Sequence, residues 1–244
     1  MNIKELLRKV WPLMTTSRHE REMLTLRRAK RQTELQLLAV GMRADAEFQG
    51  EVTRSIVSLL EQGQTDEAAR ALRLYADFNQ QTLADLERPT RTVREEAAYA
   101  EKYLQLMQLL MGSRLQYGVM VAANVDQEQL LPNMVLHTFC QNAVRHGISP
   151  KPEGGRVDVI ITLHEDDIVV TVEDNGIGRR AAAKRSDHTP KLGLRVLNEL
   201  MQFYNKMNGS RRMRQHASNL RSIEDNKISG TRFQLTVPVN FRFE

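Results

Sequence analysis

Two short runs hold side chains suited to nucleotide chemistry. Phe139-Cys140-Gln141-Asn142-Ala143-Val144-Arg145-His146-Gly147 sets an amide, a guanidinium and an imidazole close together, and Val172-Glu173-Asp174-Asn175-Gly176-Ile177-Gly178 sets a carboxylate among glycines. The second run follows Ile168-Val169-Val170-Thr171-Val172, an apolar stretch that reads as a strand. Asp174 therefore falls at a strand end, beside backbone that can turn sharply and approach a ligand closely. The first run reads as a helix opening near Pro132 and closing at Gly147, with Leu136, Phe139, Cys140, Ala143 and Val144 on its buried side. Asn142 lies on the other side, with Thr138 and His146 one turn away in either direction. An amide oxygen is a hard ligand for Mg²⁺, and a carboxylate accepts a hydrogen bond from an adenine amino group.

Asp174-Asn175-Gly176 alone reads equally well as a hairpin turn. The two runs together, in this order, resemble the N-box and first glycine box of the GHKL (Bergerat-fold) ATPases. More narrowly, Gln141-Asn142-Ala143-Val144-Arg145-His146-Gly147 is similar to the Asn-Ala-x-x-His-Gly form of sensor histidine kinases in the autolysin-sensor (LytS/YehU-like) group. The resemblance extends over roughly Leu35 to Pro238. It takes in Thr92-Val93-Arg94-Glu95-Glu96, Tyr103-Leu104, Gly193-Leu194-Arg195-Val196-Leu197-Asn198-Glu199 and Gly230-Thr231-Arg232-Phe233.

The elements that would carry these residues follow from periodicity. Apolar positions from Leu35 through Leu38, Met42, Phe48, Val52, Ile56 and Leu59 to about Glu61 predict a long helix, broken at Gly63. A second helix opens at Thr65-Asp66-Glu67 and ends before Pro89; a third opens at Thr92 with Glu95 in the capping-box position. Beyond Arg114 the pattern predicts strands at Leu115–Val121, Arg156–Leu163, Ile168–Val172, Ser210–Ala217 and Thr231–Val239. It also predicts a basic mobile loop at Arg179–Pro190 and a helix at Leu194–Tyr204. The fold class is α+β: an N-terminal helical region followed by an α/β sandwich. Taken with the resemblance, this implies three segments: a basic N-terminal helix or segment (1–34), a helical dimerisation and phosphoacceptor-like region (35–112), and an ATPase-like domain (113–244). Half-polar helices of this kind need partners, so a homodimer through them is expected.

Lys and Arg number 35 against 30 Asp and Glu, a mixed surface that does not call for nucleic acid. The single cysteine, Cys140, excludes an intrachain disulfide and reads as core. No run is apolar enough to span a membrane. Residues 1–14 are too interrupted for a signal peptide and read as a helix packing on its own protein. Residues 1–31, with Arg18, Arg21, Arg27, Arg28, Lys30 and Arg31, offer contact with anionic lipid or a membrane partner as the alternative. The expected place is the cytoplasm, including the inner face of the membrane.

Carried over residue by residue, the resemblance implies ATP and Mg²⁺ as cofactors, with Asn142 holding the metal and Asp174 reading adenine. Gly176 and Gly178 would open a lid over the nucleotide; Gly193 and Leu194 would close it and offer backbone N–H groups to phosphate. Thr231 would support the adenine site, and Arg145 and His146 would reach phosphate or serve structure. Five positions depart from the pattern. Glu47 stands where the group carries its phosphoacceptor histidine, 142 − 47 = 95 residues before Asn142. Gln141 replaces a glutamate that would be a candidate base near the metal. Lys191 replaces the first glycine of the second glycine box and could neutralise phosphate. Met107 and Leu110 replace charged residues. A glutamate cannot form a phosphoramidate, and His19-Glu20 lacks the continuation of an acceptor helix. The implied function is a sensor histidine kinase-like protein of two-component signalling that binds ATP, is degenerate in autophosphorylation, and signals to a response regulator. The alternatives are a non-catalytic dimeric signalling module and an anti-sigma-type protein-serine kinase.

Overall fold

The computed structural model describes residues 25, 48–85, 88–185, 192–221 and 228–243. Glu47 and Lys191, and the predicted elements within 1–24 and 26–47, lie outside the described residues. Helix α1 covers residues 48–61. Gly63, at φ +75, takes the turn into α2 (Thr65–Ala84). A short strand, β1 (Thr90–Thr92), leads into α3 (Val93–Met111). Here the capping box predicted from sequence is formed: Thr92 Oγ1 accepts from Glu95 N at 3.2 Å, and Glu95 Oε2 accepts from Thr92 N at 2.8 Å.

A single 3₁₀ turn then gives way to β2 (Leu115–Val121), β3 (Leu130–Pro132) and α4 (Val135–Asn142), which continues as a π-helical turn over Ala143–Ile148. The remaining elements are β4 (Gly155–His164), β5 (Asp167–Asp174), α5 (Arg179–Arg185), α6 (Leu192–Met207), β6 (Arg214–Arg221) and β7 (Ile228–Pro238). The main sheet runs β2-β4-β5-β7-β6, with β2 and β4 parallel and every other pair antiparallel; β1 and β3 form a separate antiparallel ribbon. The α+β class is as expected.

Alternation builds the core. Val157, Val159 and Ile161 of β4, Ile168, Val170 and Val172 of β5, and Phe233, Leu235 and Val237 of β7 are buried. They share one cluster with Leu136, Phe139 and Cys140 of α4 and Leu197, Leu200, Met201 and Tyr204 of α6. Burial pushes the Cys140 thiol far up, so it stays a neutral core side chain. The helical region joins the same core through an aromatic cluster. Phe78 of α2 stacks on Tyr99 of α3 at 4.7 Å, and Phe48 of α1 and His137 of α4 pack around them.

Several sequence expectations are corrected. Pro132 ends β3 rather than opening the helix, and Met134, at φ +63, takes the N-cap place. Gly147 does not close the helix: it lies inside the π turn, with Ile148 beyond it. The first seven residues of the supposed Arg179–Pro190 loop are helical. Strand β6 begins at Arg214 rather than Ser210 because Asn205 fastens the preceding turn, donating to Met213 O at 2.9 Å and accepting from Met213 N at 2.7 Å. Among the described residues no helix is long and apolar enough to cross a membrane.

Candidate nucleotide site

A cavity of about 730 Å³ opens between α4, α6 and the sheet. Asn142 and His146 from the N-box segment, Asp174 and Gly178 from the end of β5, Leu194 from α6 and Thr231 from β7 all line it. The structure thus brings together six of the residues singled out by sequence.

Asp174 is the buried polar centre, 3% exposed. Cross-strand register places Thr231 opposite it, and Thr231 donates to its carboxylate from both backbone and side chain. Gly176 N donates to Oδ1 at 2.9 Å. Burial raises the carboxyl from its ordinary 3.8 to about 6; the hydrogen bonds from Gly176 and Thr231 and the charge of Lys151 pull the other way but do not cancel it. After Asp174 the chain leaves the sheet for α5, so Asp174-Asn175-Gly176 is not a hairpin turn.

Glycines make this geometry possible by close approach. A Cβ on Gly147 would lie 2.6 Å from Asp174 Oδ1, and one on Gly176 would lie 2.3 Å from the Gly147 carbonyl carbon. Ile177 N donates to Gly147 O at 3.1 Å, which locks the π turn against the strand end. Gly176 therefore does not line the cavity; it packs its backbone on that of Gly147. Gly178 does line it, at φ +77. Gly193 sits in the first turn of α6, as expected for a residue near a helix start.

Asn142 Nδ2 donates to Thr138 O at 2.6 Å, which leaves Oδ1 as the group to offer a ligand. No cluster of three or more His, Cys, Asp or Glu suited to a metal exists among the described residues. A cation here would rest on the Asn142 oxygen together with phosphate oxygens and water, the usual pattern for Mg²⁺ bound with a nucleotide. The donor set fits that arrangement.

Two candidates belong elsewhere. Gln141 and Arg145, one helical turn apart, line a different cavity of about 280 Å³ with Phe48, Glu51 and Arg54 of α1 and Tyr103 and Met107 of α3. Gln141 and Arg145 thus do not line the larger cavity; helical periodicity turns both toward α1 while Asn142 and His146 face that cavity. Sequence reasoning also passed over Arg179, Asn198, Gln202, Gln215 and His216, which line the site. Asn198 and Gln202 follow Leu194 at four-residue spacing, a polar stripe visible in the sequence once one face of α6 is known to cover a cavity. His216 is exposed and borders the cavity mouth.

Residues 127–240 match the family model described as histidine kinase-, DNA gyrase B- and HSP90-like ATPase. This part of the chain is a GHKL ATPase domain. It is 30% identical over 93 residues to the sensor histidine kinase BtsS of Escherichia coli, covering 37% of this chain and 16% of that protein. It is 23% identical over 122 residues to the sensor protein LytS of Staphylococcus epidermidis, covering 50% of this chain and 20% of that one. The chain thus spans about a fifth or less of the length of these relatives. The histidine kinase domain of the Erythrobacter litoralis blue-light activated histidine kinase superposes with a TM-score of 0.42 and 17% identity, over 86% of this chain and 94% of that one. A GHKL ATPase domain carries with it nucleotide binding, and the cavity lies within it.

Proposed function

We propose that the ATPase domain binds ATP·Mg²⁺ in this cavity and that the chain is a sensor histidine kinase-like module of two-component signalling. The observation that carries the reading is the buried Asp174, held by Thr231 and Gly176, facing the same cavity as the Asn142 amide. Asp174 accepts from the adenine amino group, Asn142 holds Mg²⁺, and Gly193 and Leu194 present the start of α6 to the phosphates. Thr231 fixes the carboxylate. His146 borders the same cavity, within reach of the phosphates. The division at 34/35 and 112/113 separates a basic segment, a helical dimerisation region and the ATPase domain. Val57 and Leu60 of α1 and Leu72 and Leu83 of α2 are exposed, which supports a homodimer through these helices. A response regulator is the downstream partner, and the module works in the cytoplasm, with residues 1–31 toward the membrane.

Glu47 at the acceptor position favours a form that does not autophosphorylate there, and with it a second reading as a non-catalytic dimeric module that conveys nucleotide state through its helices. Isothermal titration with ATP·Mg²⁺ tests the site: wild type binds, Asp174→Asn loses binding, and Asn142→Ala loses the part that depends on Mg²⁺. Absence of binding in wild type refutes the assignment. Incubation with labelled ATP then separates the two readings, since acid-labile phosphate on the chain would favour the kinase.

A further inference from the structure

Helix α4 ends in Asn142 and has no capping side chain of its own. Its cap comes from another helix. Glu96 of α3, fully buried, accepts from Met134 N on Oε1 at 2.8 Å and from Leu136 N on Oε2 at 3.0 Å. These N–H groups at the helix start lack partners within α4, and a carboxylate there also meets the positive end of the helix dipole. Met134 is held in left-handed backbone, which a methionine adopts only where its surroundings impose it.

Arg91, 1% exposed, holds Glu96 Oε1 at 3.4 Å and Asp85 Oδ2 at 2.8 Å. Asp85 is the residue that closes α2. Asn133, just before α4, donates from Nδ2 to the carbonyls of Asp85 at 3.0 Å and Arg88 at 2.6 Å. The end of α2, the start of α3 and the start of α4 are thus joined by buried polar side chains. Arg91 Nε and Asn133 Oδ1 nonetheless find no hydrogen-bond partner among the described residues. A buried charged cluster with polar atoms left over is a poor way to gain stability alone, whereas it fixes geometry well.

At the other end of α4 the Asn142 side chain is fastened to its own helix through Thr138 O. Eight helical residues span only about 12 Å, so cap and amide move as one body. We propose that Glu96 is a positioning residue for Asn142. It sets the axial place of α4, and with it the aim of the Asn142 amide oxygen, in register with the end of α2. Displacement of the α2–α3 hairpin is then read as a change in metal-nucleotide affinity. The inference rests on the assignment of the cavity to ATP·Mg²⁺.

Glu96→Gln tests it, with Leu115→Ala as a control: a core truncation in β2 away from the network and the cavity. The readouts are titration with ADP, with and without Mg²⁺, and the backbone resonances of residues 135–142 in the unliganded protein. Glu96→Gln weakens ADP·Mg²⁺ roughly five- to twentyfold, leaves metal-free ADP unchanged, and moves the resonances along α4 through Asn142. Leu115→Ala leaves the affinities as in wild type. Unchanged ADP·Mg²⁺ affinity in Glu96→Gln, or equal losses with and without metal, overturns the coupling while the cavity assignment stands. If wild type binds no nucleotide, the cavity assignment falls, and the coupling to it with it.

Discussion

Asp174 should be a functional residue kept at a cost to the fold, and that cost can be measured. Its carboxyl rises from 3.8 to about 6 because it is buried. An acid whose folded-state value is raised holds its proton more tightly when folded. The fold therefore loses stability as pH climbs from 3.8 through 6, and the loss levels off above that. At about 1.4 kcal/mol per pH unit, the difference amounts to roughly 3 kcal/mol at pH 7.5, about 1.5 kcal/mol at pH 5 and about 0.5 kcal/mol at pH 4. Asp174→Asn keeps the size and a carbonyl to accept from Gly176 N and Thr231 while removing the charge. The expected result is a variant more stable than wild type at pH 7.5, by up to about 3 kcal/mol less whatever hydrogen-bond strength the neutral amide gives up. The gap closes as the pH is lowered to 4. Chemical denaturation of both proteins across pH 4–8 without nucleotide reads the gap directly, and the comparison removes every other titrating group. A gap independent of pH would refute the burial argument. A variant that is stabilised at pH 7.5 and has lost ATP binding would show that burial of this charge serves the ligand and not the fold.

Gly147→Ala should lower nucleotide affinity, because the new Cβ would stand 2.6 Å from Asp174 Oδ1 and must displace that carboxylate; titration with ATP·Mg²⁺ at unchanged affinity would contradict this. Phe78→Ala removes a ring that touches Phe48, Tyr99 and His137 and should cost about 3–5 kcal/mol in denaturant unfolding. His137 lies in that aromatic cluster with its value lowered to about 3 by burial, and also by Arg91. The unfolded chain takes up this proton below 6.5 while the fold excludes it down to about 3, so the fold should lose stability as the pH falls from 6.5 toward 3. Denaturant unfolding of wild type at pH 8 and pH 5 reads that loss, and no loss assignable to His137 would contradict its burial.

Much of the site was legible because its signals are local. A strand ending in Asp174 and a helix presenting Asn142 follow from alternation and from 3.6-residue spacing, and the capping box at Thr92 is a four-residue pattern that the structure reproduces. The misreadings came where distant contacts override local preference. Pro132 looks like a helix opener, but it pairs with Thr90 in a ribbon whose other strand lies about forty residues earlier. Gly147 looks like a helix end, yet its lack of a side chain serves Asp174, which no local rule could name. Gln141 and Arg145 could be assigned to a helix face but not to what that face meets, since α1 arrives there only through the tertiary fold. The polar cluster of Asp85, Arg91, Glu96 and Asn133 reads in sequence as ordinary charged surface, and its burial depends on three helix ends converging.

The order of the sheet has a consequence for how the domain comes into being. β7, which follows β6 in the chain, lies between β5 and β6 rather than at an edge. A nascent chain that has emerged only as far as β6 has the N-box and Asp174 but lacks the strand that separates β5 from β6 and supplies Thr231. The pocket can therefore close only after β7 has left the ribosome and been inserted, a pairing of distant segments that tends to be slow. Until then the inner edge of β5 stands open, and that interval is when this domain is most exposed to mispairing with other chains.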